Sequence, residues 1–372
     1  MTFLFAPDSF KGTLSAIEVS EILTEAAHEV FPDVKTISLP SADGGEGTVS
    51  AILSSGRGER VSVPVHGPLG GEKMASYARL SETEALMEMA EASGLTLISE
   101  EERNPLQTST YGTGEMILHA LAHGARRIYI GIGGSASSDG GMGAMEALGV
   151  KFPDEKGNIL PGCGASLARV EKIDLSGLSP LAKTAEFTIL SDVTNPLCGS
   201  KGAILVFAPQ KGADPSMVEI LEKGMEHYRD ILTETFGVNP DTIPGSGAAG
   251  GLGAALFLFL KGKMVSGAEE VLRFSHFEEA LKEADFVITG EGRTDSQSAD
   301  GKIVSIIAYH CQRAKVPCLI FSASLGGGWE RLEGPGVKVK AAAKNDRDIR
   351  ESMNHPKEFY KKAAIRLFQS MK

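Results

Sequence analysis

The sequence predicts an α/β protein: a doubly wound parallel sheet assembled from both ends of the chain, with a mixed α/β domain inserted between them. Two observations carry this. Apolar runs followed by glycine-rich polar loops and amphipathic helices recur twice near the N-terminus and about three times near the C-terminus, which is the βα rhythm of a parallel sheet. Between them, over roughly 57–266, the pattern changes to alternating strands and long helices. The length of 372 residues suits two domains of roughly 100–200 residues each. The expected division is 1–56 plus 267–372 for the sheet domain and 57–266 for the insert.

The elements follow in order. Residues 2–6 form an apolar run that ends in PDSFKG, a buried strand opening into a loop. Ser15 and Glu18 make a capping box. Val19, Ile22, Leu23, Ala26 and Val30 then recur at helical spacing until Pro32. Residues 34–39 give a second strand, and a helix starts near Thr48. Residues 61–65 and 74–80 alternate and read as antiparallel strands around a turn at Gly67–Gly71. Strands are expected at 85–90, 127–132, 187–190 and 203–207, with helices at 112–123 and 216–236. The βα pattern then resumes: helix 277–284, strand 286–289, helix 301–314, strand 316–322, strand 337–342 and helix 360–371.

Composition narrows the function. Lys plus Arg total 37 against 48 Asp plus Glu, a net charge of −11. Such a chain, without a basic run, is a poor binder of nucleic acid or of anionic membrane. The longest apolar stretch, 245–260, is short for a membrane span and half Gly and Ala. MTFLFAPDSFK lacks the basic start of a signal peptide. The four cysteines, Cys163, Cys198, Cys311 and Cys318, form no CxxC pair and read as reduced thiols of a cytoplasmic protein. HExxH, GxSxG and Walker A motifs are absent.

The chain has 44 glycines, where an average chain of this length carries about 26. They cluster after apolar strands, mixed with acids and hydroxyls, at 43–48, 131–141, 245–251, 290–295 and 324–328. Glycine after a strand lets backbone N–H groups approach a ligand, and a following helix N-terminus adds positive potential. These loops therefore suggest phosphate handling. Asp8, Asp43, Glu46, Asp139, Asp192, Glu291 and Asp295 also sit just past apolar strands, a placement that makes sense if Mg²⁺ bridges carboxylate and phosphate. Lys11, Arg293 and Lys302 are the available cations. One competing pattern is RIYIGIGGSA at 127–136, a strand with G-x-G-x-x-A and Asp154 further on. It would indicate a nicotinamide enzyme, but 150–157 runs into a turn instead of a second βαβ strand.

APDSFKGTLSA (6–16), PSADGGEGT (40–48), ERNPLQTSTYGTGE (102–115), IGIGGSASSDGGMGA (130–144), SDVTNPLCGSKGA (191–203), FAPQKGAD (207–214), GAAGGLGAAL (247–256) and ITGEGRTDSQSADGK (288–302) strongly resemble the type I glycerate kinases. The likeness runs to about residue 325 and is weaker over the last 45 or so. It implies a flavodoxin-like domain built from both termini, an inserted α/β domain, and ATP-dependent phosphorylation of D-glycerate, with 2-phosphoglycerate the usual product of this type. It leaves open whether the chain forms a homo-oligomer.

A glycerate kinase needs a seat for the carboxylate, a group to take the hydroxyl proton, and donors for the moving phosphoryl group. The expected seat is Asp8, Ser9, Lys11 and the loop of Asp43, Gly44, Gly45 and Glu46, with Asp192, Thr194 and Asn195 from the insert. Asp192 or Asp43 accepts the proton. Gly133, Gly134, Ser135, Ser138 and Gly140, and Gly290, Glu291, Gly292, Arg293 and Lys302, face the nucleotide, with Asp139 or Asp295 on Mg²⁺. Insertion at the loop end of the sheet is expected to leave a cleft there.

Overall fold

A computed structural model describes all residues, Met1–Lys372. The chain divides into two compact units: Met1–Asp43, Ser50–Arg57 and Ala268–Lys372 make the first, and Gly44–Val49 and Gly58–Gly267 make the second. The short excursion Gly44–Val49 thus packs with the second unit, although 1–56 was expected to belong wholly to the first.

The first unit is built on five parallel strands: Thr2–Phe5, Lys35–Ser38, Phe286–Thr289, Cys318–Ser322 and Val337–Ala341. In space the order is Val337–Ala341, Cys318–Ser322, Phe286–Thr289, Thr2–Phe5, Lys35–Ser38. Side chains alternate across a strand, so TFLF feeds both faces. Phe3 and Phe5 pack with Leu23, Ala27, Tyr360 and Phe368 on one side. Leu4 packs with Leu272, Phe277, Ile307 and Ile320 on the other. The helix Ala16–Val30 carries the predicted capping box: Glu18 N–H donates to Ser15 Oγ, 3.2 Å, and Ser15 N–H donates to the Glu18 carboxylate, 2.9 Å.

Two strand extensions shape the loop end. Ala6 N–H donates to the Ile288 carbonyl and Asp8 N–H to the Gly290 carbonyl (2.9 and 2.8 Å). The first strand and Phe286–Thr289 therefore continue side by side past the sheet. Beyond it, Arg293–Thr294 pairs in parallel with Ser324–Leu325.

The second unit holds a six-stranded mixed sheet ordered Glu59–His66, Glu72–Arg79, Glu84–Glu88, Arg127–Gly131, Glu186–Leu190, Lys263–Val265. The pairs Glu59–His66 with Glu72–Arg79 and Glu72–Arg79 with Glu84–Glu88 are antiparallel, and from Glu84–Glu88 onward the four strands are mutually parallel. One large core spans it, from Val63 and Tyr77 to Tyr228 and Phe259.

One expected strand is a helix. Residues Ala203–Phe207, AILVF, form a short helix following Gly202. Ala203 and Ile204 are buried while Leu205 and Val206 are exposed. Five apolar residues are too few for periodicity to separate a strand from a helical turn. The stretch 252–260, LGAALFLFL, is a helix buried over most of its circumference, so it shows no amphipathic period.

Candidate active site

In the first unit the strand order reverses between Thr2–Phe5 and Phe286–Thr289, and open α/β sheets bind ligands beyond the strand ends at such a point. A cavity of about 400 Å³ lies there, lined by Asp8, Ser9, Lys11, Asp43, Glu291, Gly292, Arg293, Asp295 and Lys302 among others. The sequence expected these residues to act together, and the fold brings them together.

Asp8 is 7% exposed, and its Oδ1 accepts the Ser9 N–H at 2.6 Å. Burial, followed by the charge of Asp43, pushes its carboxyl up to about 7. Lys11 Nζ stands 4.0 Å from Asp43 Oδ2. It projects from a tight turn in which Phe10 N–H donates to the Leu14 carbonyl, 2.7 Å, with Gly12 at φ +80°. Glu291 is held on three sides. Its N–H donates to Ser322 Oγ (3.2 Å), its carboxylate accepts the Thr294 hydroxyl (3.2 Å), and Lys302 Nζ lies 3.4 Å from the other oxygen. Asp295 accepts the Gln297 N–H at 2.9 Å, and its second oxygen is 3.9 Å from Arg293 Nε. The opposite wall is apolar: Ile349, Met353, Pro356 and Phe359. Ile349 and Met353 were not legible in the sequence, because their helix, Asp346–Asn354, buries no residue; Pro356 and Phe359 belong to the next helix, Pro356–Gln369.

The other expected residues lie in the second unit, where several have structural work. A Cβ on Gly131 would sit 2.1 Å from the Gly44 carbonyl oxygen, and one on Gly133 2.8 Å from Gly45 Cα. A Cβ on Gly140 would meet the Tyr228 ring at 2.6 Å. The glycines at 131, 133 and 140 therefore admit close packing on the side where a Cβ would stand, while Gly134 is exposed. Ser135 Oγ accepts from buried Lys211 Nζ at 2.7 Å, and the Ser138 hydroxyl is buried with no protein partner. Burial pushes the Lys211 ammonium down to about 7, with Asp139 acting against that shift.

Asp139 does not fit the metal role expected of it. It is fully buried, and its carboxylate accepts four donors: the Thr110 N–H (2.8 Å), the Thr110 hydroxyl (2.7 Å), the Gly141 N–H (3.1 Å) and the Gly143 N–H (3.2 Å). No coordination position faces solvent. Burial raises its pKa and these bonds oppose the rise. Asp139→Asn replaces one of the two accepting oxygens with an N–H₂ that opposes its donor, and is expected to cost about 3 kcal/mol of stability in urea unfolding. An unchanged urea midpoint would reopen the metal role.

Asp192 is exposed, and its Oδ1 accepts the Gly267 N–H at 3.2 Å, at the start of the helix Gly267–Phe274. Thr194 is exposed, and Asn195 Nδ2 donates to the Lys201 carbonyl at 2.8 Å. In the excursion 44–49, Gly44 and Gly45 are buried and Glu46 is exposed. Sequence reasoning missed Glu88, at the end of the strand Glu84–Glu88. It is 3% exposed and accepts the backbone N–H groups of Gly47 (3.0 Å) and Val49. Burial pushes it up to about 7, with those two bonds opposing and Glu91 and Glu46 adding. An acid directly following an apolar strand is the signal that could have found it.

Within the first unit, a parallel sheet with carboxylates and cations at its switch point is the construction of an α/β phosphotransferase. The glycerate kinase family model matches residues 3–372. The chain is 44% identical over 326 residues to "Glycerate 2-kinase" of Escherichia coli (strain K12), covering 87% of this chain and 86% of that one. It is 42% identical over 337 residues to "Glycerate kinase" of Halalkalibacterium halodurans, covering 90% and 89%. A crystal structure of a provisionally named glycerate kinase 2 from Salmonella typhimurium LT2 matches with a TM-score of 0.84 and 38% identity, covering 100% of this chain and 98% of that one. The protein belongs to the glycerate kinase family and is a phosphotransferase of that kind.

Proposed function

We propose that the protein transfers the γ-phosphoryl group of ATP to D-glycerate, giving 2-phosphoglycerate and ADP, with Mg²⁺ required, and that its first unit is flavodoxin-like. The observation that carries this reading is the cavity at the strand-order reversal, which the buried Asp8 lines together with Lys11, Arg293 and Lys302. The strand sequence 2-1-3-4-5 within that unit supports the flavodoxin-like description. The name of the Escherichia coli relative supports the 2-position.

A general base works best when its pKa lies near the working pH. Asp8, at about 7, meets that condition and takes the proton from the attacking hydroxyl. This moves proton transfer away from Asp192 and Asp43: Asp192 serves the Gly267 N–H, while Asp43 orients Lys11 and raises Asp8. The 43–47 loop holds glycerate, and Ser9 and Lys11 line the cavity of the first unit with Asp8 and Asp43. Glu291 keeps Lys302 and the 290–295 backbone in place, and with Arg293 these cations face the phosphates. The wall of Ile349, Met353 and Pro356 offers the nucleobase an apolar surface that a three-carbon hydroxy acid cannot use.

No group of three metal-ligating side chains is present. Mg²⁺ on a nucleotide commonly takes one or two protein carboxylates besides phosphate oxygens. Asp295 fits that demand, since it lines the cavity and only one of its oxygens is taken by a backbone donor, the Gln297 N–H. Bound there, the ion would neutralise charge on the transferring phosphates.

No helix is long and apolar enough to cross a membrane. The four free cysteines support placing the enzyme in the cytoplasm. ATP, Mg²⁺ and D-glycerate are expected to give ADP and one phosphoester, with the phosphorus NMR coupling of a secondary ester. A primary-ester coupling pattern overturns the 2-position, and no ADP release overturns the activity.

A further inference from the structure

The chain makes an unusual path through its two units. It leaves the first at Asp43, packs residues Gly44–Val49 with the second, and returns at Ser50 before the long insertion begins at Gly58. Such a short excursion has little apolar surface to anchor it: four of its six residues are Gly or an exposed Glu. Something else must hold it. Part of the answer is the close approach of Gly44 and Gly45 to Gly131 and Gly133. That contact is permissive, since glycine on glycine offers almost no dispersion energy.

The directional part comes from one side chain. The Glu88 carboxylate accepts the Gly47 N–H at 3.0 Å and also the Val49 N–H. These amides are among the unpaired donors at the start of the helix Thr48–Ser54. Thr48 adds a local tie, its hydroxyl donating to the Gly45 carbonyl at 2.8 Å. A carboxylate so deeply buried, with two neighbouring acids, is costly to keep charged. Its two backbone donors are what offset that cost, so the bond and the burial belong together. An apolar residue at this position would leave both amides without their partner.

We propose that Glu88 is a positioning residue for glycerate: its carboxylate latches the Gly44–Val49 excursion onto the sheet of the second unit and so sets the shape of the loop that seats the substrate. This rests on the reading that the 43–47 loop holds glycerate, and two readouts separate the two ideas. Backbone amide exchange reports the latch without substrate. The Michaelis constants report what the loop holds.

Glu88→Gln keeps the size of the side chain but can accept only one of the two N–H groups, turning its own N–H₂ toward the other. In the full-length protein, hydrogen exchange in the peptide covering 43–54 is expected to quicken about tenfold, while the strand Glu84–Glu88 stays protected. The KM for D-glycerate should rise about tenfold, the KM for ATP should stay within twofold, and kcat should stay within about fivefold. Unchanged exchange at 43–54 overturns the latch. Faster exchange with an unmoved glycerate KM overturns the positioning role and with it the substrate reading of the loop. Equal rises in both KM values overturn it too, since they mark a general loosening. If the Gln variant does not fold, Glu88→Asp keeps the charge while shortening the reach, and the same two measurements are read on it with the same outcomes.

Discussion

Asp8→Asn is expected to fold, to melt at a higher temperature than the parent protein at pH 8, and to turn glycerate over about a thousandfold more slowly. Loss of the base accounts for the rate. The stability follows from the sign of the shift. Folded Asp8 titrates at about 7 against an ordinary value of 3.8, so between those pH values the folded state binds the proton more tightly than the unfolded chain. Stability due to this group is therefore full below pH 3.8 and declines as pH rises to 7. The deficit above pH 7 is up to about 4 kcal/mol for a shift of roughly three units. Asparagine carries no charge and removes the deficit. The gain should be visible in thermal melts at pH 8 and nearly absent at pH 4. In the parent, kcat should fall on the acid side with a midpoint near 7. A variant that keeps more than a tenth of parental kcat, or that melts lower at pH 8, removes Asp8 from the role of base.

Gly131→Ala should be among the most damaging single methyls in the second unit. The new Cβ would lie 2.1 Å from the Gly44 carbonyl oxygen and 3.0 Å from its carbon, both backbone atoms. Neither a rotamer change nor a flexible side chain can relieve that contact, so the strand Arg127–Gly131 or the 44–49 excursion must move. Overpacking of this kind costs about 3 kcal/mol or more, or several degrees in the melting of a unit this size. Gly71→Ala is the matched control, because its Cβ would meet nothing within 4 Å, and it should stay within about 0.5 kcal/mol. If the two variants melt alike in scanning calorimetry, Gly131 is not held by its close approach to the Gly44 carbonyl.

The glycine loops show where reading a chain alone reaches its limit. At 290–292 the loop does line a cavity with Lys302 and Arg293. At 131–141 the same composition serves backbone packing, a buried Asp139 and a Ser135 that accepts from buried Lys211. A glycine chosen for a ligand and one chosen for a neighbouring carbonyl look identical until the neighbour is placed. Asp139 and Asp8 differ in the same way. Both follow apolar strands, yet one meets four donors and the other meets Asp43 and a cavity.

Local chemistry was enough for the βα rhythm at both ends, the Ser15 capping box, the antiparallel pair around Gly67–Gly71 and the family motifs, because each depends on residues close in sequence. Tertiary structure alone decided which carboxylate is buried beside another, which glycine is crowded, that AILVF coils, and that Glu88 reaches amides some forty positions away. Those outcomes depend on desolvation and on contacts between distant segments. Neither quantity exists until the chain has folded.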